Sequence, residues 1–153
     1  MRKIKSQKVI PSNQKDSIVK YKIRDVELNS LIVNMEDKNL NFRSSDLIFE
    51  IKGFYEIKKE LSFLEFHIDA RTFTDNKKNK LIASIHTITT FEIVNMRNFT
   101  SSENIPKFPE LFLRDCFSIS YSTTRGIFLS KCAETRLGKL ILPLLDPLKQ
   151  AQE

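Results

Sequence analysis

His67 and His86 are the only histidines in the chain of 153 residues, and both lie in segments that alternate apolar and polar residues. Alternation of this kind predicts strands, and imidazoles on adjacent strands can approach closely enough to hold a metal or pass a proton. No cysteine stands near either histidine, and no carboxylate cluster completes a metal set with them, so no metal site is assigned. Glu36-Asp37 falls in an expected loop without partner chemistry. Cys116 and Cys132 lie 16 positions apart without a CxxC pair and are read as reduced, partly buried thiols. Ser118, Ser120 and Ser122 belong to no GxSxG elbow; they read as small residues that let a helix pack closely. Gly53, Gly126 and Gly138 are too scattered to build a phosphate-cradling loop. The residue types therefore assign no catalytic role and no cofactor. They leave a binding role as the expectation.

The charge narrows the partner. Residues 1–24 carry eight basic groups against Asp16 alone, a net +7 within a total of +6. Of the 25 basic and 19 acidic groups, 17 and 18 remain for the other 129 residues, a net −1. Nucleic-acid binders usually carry their charge on the folded face that follows the phosphates, so a neutral body disfavours them. The alternative reading is a nucleic-acid or ribosome-associated module that uses the basic leader. Apolar stretches such as Leu31–Val33 and Ile127–Leu129 are short against the roughly 20 residues of a membrane span. No apolar h-region follows Met1–Gln7, so no secretory signal is expected and the protein is read as cytoplasmic.

The elements follow from periodicity. Residues 1–16 read as a flexible basic leader and residues 17–153 as one domain. Val19, Tyr21 and Ile23 share one parity, while Val26, Leu28, Ser30 and Ile32 share the other, which predicts a β-bulge near Arg24-Asp25. A second strand carries Leu47, Phe49, Ile51, Gly53, Tyr55 and Ile57 on one face, with Phe54 among Glu50, Lys52 and Glu56 on the other. Leu64, Phe66, Ile68 and Ala70 alternate with Glu65, His67, Asp69 and Arg71. A fourth strand begins at Leu81 and runs to about Val94, joined to the third by the polar turn Asp75–Asn79. Pro109 opens a helix of about 20 residues, on which Phe112, Cys116, Ile119, Thr123 and Ile127 recur at spacings of three and four. Gly138 marks a break, and Asp146-Pro147 reads as the start of a short terminal helix. The expected class is α+β: a four-stranded antiparallel sheet, Greek key or meander, followed by one long and one short helix.

From Asn104 the chain reads NIPKFPELFLRDCFSISYSTTRGIFLSKCAETRLGKLILPLLDPLKQ. This third of the sequence resembles the C-terminal part of the SecB family of export chaperones, through the order of Pro109, Arg125-Gly126, Leu142-Pro143 and Asp146-Pro147. The upstream order of strands is similar as well. In that family a long helix ends near the Arg-Gly pair, and a Leu-Pro segment leads to a final helix. The resemblance implies a sheet with two helices assembled as a dimer of dimers, and an ATP-independent holdase whose apolar grooves bind unfolded or nascent clients.

Under that resemblance Phe49, Phe54, Tyr55, Leu142, Leu144 and Leu145 are the expected client-binding residues. Phe54 stands out because it lies on the polar parity of its strand. The stripe of Phe112, Cys116, Ile119, Thr123 and Ile127 is wide enough to serve both the sheet and a partner subunit. The family's export members are acidic and meet the basic tail of the SecA motor, whereas this body is neutral and its leader basic. Its SecB-like relatives also include dedicated chaperones of antitoxins. Unfolded clients, SecA or an antitoxin are thus the implied partners.

Overall fold

The computed structural model describes residues 18–34, 47–74, 80–135, 137–138 and 140–145. The basic leader, the polar turn after Thr74 and the terminal helix expected from Asp146 lie outside the described residues.

Four strands, β1 (Tyr21–Val33), β2 (Leu47–Lys58), β3 (Phe63–Thr74) and β4 (Leu81–Ile93), form one antiparallel sheet in the order β1-β4-β3-β2. Three strands in sequence with the first returned beside the last make a Greek key. Strict alternation on β3 and β4 sends Leu64, Phe66, Ile68 and Ala70, and Ile85, Thr87, Thr89, Phe91 and Ile93, to one buried face. Helix α1 (Glu110–Ala133) covers that face over β3 and β4.

β1 follows the same logic with two irregularities. The expected bulge is present between Ile23 and Asp25, and a second lies between Leu28 and Ser30. Each inserts one residue and reverses parity. Tyr21 and Ile23, then Val26 and Leu28, then Leu31 and Val33 therefore all pair with buried positions of β4. Ser30 and Ile32 turn to the opposite face, where they pair with His86 and Ser84. Ile32 thus parts from Val26 and Leu28, with which sequence parity alone groups it.

Helix α1 runs 24 residues, beyond the Arg125-Gly126 pair at which the resemblance ends it. Gly126 is exposed, and a Cβ there would meet nothing within 4 Å, so the glycine lowers helix propensity without breaking the packed rod. The buried row is Phe112, Cys116, Ser120, Thr124, Phe128 and Cys132, an unbroken spacing of four. Ile119, Thr123 and Ile127, grouped with Phe112 and Cys116 on the expected stripe, are only half-buried beside that row. The small polar residues Ser120 and Thr124, both fully buried, occupy the middle of that row. Their hydroxyls donate to the carbonyls of Cys116 and Ser120, each 2.8 Å away, so neither of these two buried hydroxyls lacks an acceptor.

Two clusters fill the space between sheet and helix. One joins Ile68, Ala70, Ile82, Ala83 and Ile85 to Tyr121, Phe128, Cys132, Leu137, Leu140 and Leu142. The other gathers Leu64, Phe66, Phe91, Ile93, Met96, Phe108, Phe112 and Cys116. Among the described residues no helix is long and apolar enough to cross a membrane.

Candidate functional site

β2 is an edge strand: β3 is its one strand neighbour among the described residues. Leu47, Phe49 and Ile51 are half-buried on the helix side against the first core cluster. Gly53 follows on the same face. A Cβ there would collide with Cε2 of Phe117, so the missing side chain is what lets that ring lie on the strand. Beyond it, Tyr55 is 45% exposed, its ring tilted against Phe66 at 5.4 Å, and Ile57 is half-buried.

After α1 the chain returns to the same core cluster through Leu140, Leu142 and the partly buried Leu145. The Tyr121 hydroxyl donates to the Pro143 carbonyl (2.7 Å) and Arg125 Nε to that of Leu142 (3.0 Å), which pins residues 140–145 to the helix. Burial pushes the Tyr121 phenol up to about 12, so it remains a donor across the physiological range. Leu142 is 1% exposed and belongs to the core, where a client cannot reach it in this conformation. Leu145 is half-buried against the same cluster as Phe49, whereas Leu144 is 83% exposed. Phe49, Tyr55 and the leucine segment thus share the helix side of the sheet.

Phe54 points the other way. Its ring is half-exposed on the outer face and stacks on His67, with centroids 4.5 Å apart and planes 7° from parallel. The polar parity that singles it out also removes it from the surface formed by Phe49 and Tyr55.

The outer face carries a polar constellation that linear spacing does not reveal. His67 Nδ1 lies 3.4 Å from His86 Nε2, and His86 Nδ1 lies 2.9 Å from Asn29 Nδ2. The close approach of the two rings is the one their strand positions allow. Strand pairing adds a carboxylate from outside the strand: Glu56 stands opposite Glu65, two residues before His67 on the same face. Glu56, Glu65 and His67 each bring a ligand atom within 4.8 Å of the others. Lys58 Nζ spans the two carboxylates, 2.6 Å from Glu56 and 3.7 Å from Glu65. The hydrogen bond from Lys58 holds the Glu56 carboxyl below its ordinary value, and Glu56 in turn raises the Lys58 ammonium.

The stripe assigned to a partner subunit divides as the helix does. Phe112 and Cys116 are buried within this chain, while Ile119, Thr123 and Ile127 retain some exposure. Cys116 and Cys132 are both free and fully buried. Burial pushes the Cys116 thiol up to about 12 and raises that of Cys132, which leaves neither a usable nucleophile near neutrality. β1 is the more open surface. Tyr21, Ile23 and Leu28 face the helix side yet are 37%, 52% and 37% exposed.

Among the described residues, the sheet order, the helix cover on one face and the long helix α1 define a SecB-like α+β fold. The solved structure of the Mycobacterium tuberculosis SecB-like chaperone Rv1957, in complex with a ChAD peptide from the Rv1956 HigA1 antitoxin, matches with a TM-score of 0.59 at 15% identity. The match covers 82% of this chain and 88% of that one, and at this identity the likeness is one of fold. No protein-family model and no curated protein sequence matches the chain.

Proposed function

We propose that this protein is an ATP-independent, SecB-like holdase that binds unfolded or nascent polypeptide, as a non-enzymatic component of the cytoplasm. The observation that carries the reading is the open edge of β2, whose helix-side row ends in the exposed Tyr55, with Leu144 and Leu145 on the segment that returns beside that face. An extended client can add to such an edge through backbone hydrogen bonds, which are indifferent to its sequence, while its apolar side chains enter the row beside the strand. The matching chaperone of known structure holds a peptide of an antitoxin, which supports a polypeptide client and makes an antitoxin a natural candidate. The neutral body offers little to the SecA motor, so a dedicated client is favoured over general export.

Assembly belongs to the same proposal. The exposed helix-side row of β1, together with Ile119, Thr123 and Ile127, is where a second copy of the chain docks. A dimer of dimers is the proposed state.

Suppression of aggregation tests the function. The full-length protein, without nucleotide, is expected to keep a denatured client soluble near equimolar ratio, and Tyr55→Ser with Leu144→Ser is expected to weaken this severalfold. Removal of residues 1–16 should leave it intact. Loss of activity on that truncation, with salt-dependent RNA binding in the parent, would overturn the proposal in favour of a nucleic-acid module.

A further inference from the structure

We propose that Glu56, Glu65 and His67 form a binding site for a divalent transition-metal cation on the outer face of the sheet, with Lys58 as the displaceable cation that occupies it otherwise. The site lies on the face opposite the proposed client row and does not depend on that reading.

His67 carries the argument. It is 9% exposed, and its Nε2 is buried without a hydrogen-bond partner, directed at Glu65 Oε2 from 4.0 Å. A buried ring nitrogen without a partner is costly. Lys58 balances the two carboxylates but leaves that nitrogen unserved. A metal ion ligated by all three groups satisfies the carboxylates and the imidazole together.

The geometry is close to what such an ion requires. Zinc binds imidazole nitrogen and carboxylate oxygen at roughly 2.0–2.2 Å, which sets neighbouring donors about 3.3 Å apart. Here all three donors lie within 4.8 Å of one another, and His67 Nε2 and Glu65 Oε2 are already at 4.0 Å. Rotation of two glutamate side chains closes the remainder. The backbones need not move, because Glu56 and Glu65 are direct partners in the β2–β3 ladder. One imidazole with two carboxylates selects zinc, cobalt or manganese over calcium or magnesium. Three protein ligands leave a coordination position for water or a partner's side chain.

The second layer is also present. Metal-bound histidines normally donate their other N–H to an acceptor that fixes the ring. His67 Nδ1 faces His86 Nε2 at 3.4 Å, and Phe54 stacked on the opposite ring face holds its plane. With the Asn29 amide nitrogen on His86 Nδ1, the protons run from Asn29 through His86 to His67 and end as an N–H aimed at Glu65. Turning the Asn29 amide to present its oxygen reverses the chain: His86 Nδ1–H donates to Asn29, His67 Nδ1–H donates to His86, and His67 Nε2 offers its lone pair to the metal. The exposed Asn29 amide has the freedom to do so.

Zinc titration of the full-length protein by calorimetry, combined with long-range imidazole nitrogen spectra, tests the proposal. One zinc per chain is expected, with a large shift of His67 Nε2 and a smaller one at His86. His67→Gln and Glu65→Gln should each weaken binding at least about tenfold, His86→Gln about tenfold through the second layer, and Lys58→Ala should strengthen it. Zinc binding unchanged by His67→Gln would overturn the site. So would a native His67 Nε2 resonance that saturating zinc leaves unmoved. The spectra of the unaltered protein decide the matter even if a variant fails to fold.

Discussion

Thr124 joins the helix to the sheet through a single hydroxyl. Its proton goes to the Ser120 carbonyl, so the 2.6 Å contact with Thr87 must use the Thr87 proton, with Thr124 as acceptor. Both residues are fully buried. Thr124→Val strands the Thr87 hydroxyl in the core and is expected to cost about 1–3 kcal/mol, whereas Thr87→Val leaves Thr124 bonded to Ser120 and costs less. The double variant should lose less than the sum of the two, and urea unfolding measures all three. Equal and additive losses would contradict this polarity. None of it is legible in the sequence, where both threonines read as ordinary strand and helix residues. The same holds for Gly53 and for Glu56 beside His67. In each case the partner arrives from another element, Phe117 of the helix or Glu65 of the next strand. Phe54 was legible, because an aromatic among Glu50, Lys52 and Glu56 announces its exposure.

At the scale of elements, β3 and β4 could be read from alternation because one face is wholly buried and a one-residue slip would expose it. The first bulge of β1 was readable for the same reason. The second was not, since Leu31-Ile32-Val33 is apolar at every position and fits either parity. The helix stripe was legible at Phe112 and Cys116 and then departed from the true row, because Ser120 and Thr124 look less apolar than Ile119 and Ile127 yet pack closer. β1 is left with apolar side chains that α1 covers only in part: the Tyr21 ring meets Phe112 of the helix edge-on at 5.3 Å and still remains 37% exposed. Burying a whole Ile or Leu side chain contributes roughly 1.5–3 kcal/mol. Covering the half-exposed Tyr21, Ile23 and Leu28 on two related copies therefore adds several kcal/mol in all. Light scattering on a sizing column should find more than one chain per particle. Ile23→Lys with Leu28→Lys should reduce the particle to a monomer of unchanged circular dichroism. A strictly monomeric parent at high concentration would refute the interface.

At the scale of the molecule, charge is unevenly distributed along the sequence. Residues 1–24 hold the basic excess, the remaining residues are near neutral, and the edge strands β1 and β2 of the described sheet carry exposed Tyr, Phe, Ile and Leu. The fold class was legible because alternation, one long helix and the proline-marked C-terminal third agree with one another. The client surface was only half legible, because Leu142 and Leu144 look alike in sequence while one is 1% and the other 83% exposed. Hydrogen exchange of the full-length protein, with and without a permanently unfolded apolar client, tests most directly whether the β2 edge holds polypeptide. The expected result is slowed exchange along Leu47–Lys58 and residues 140–145, with the central strand β4 unchanged. A client that binds without protecting β2, or that does not bind at all, would contradict it.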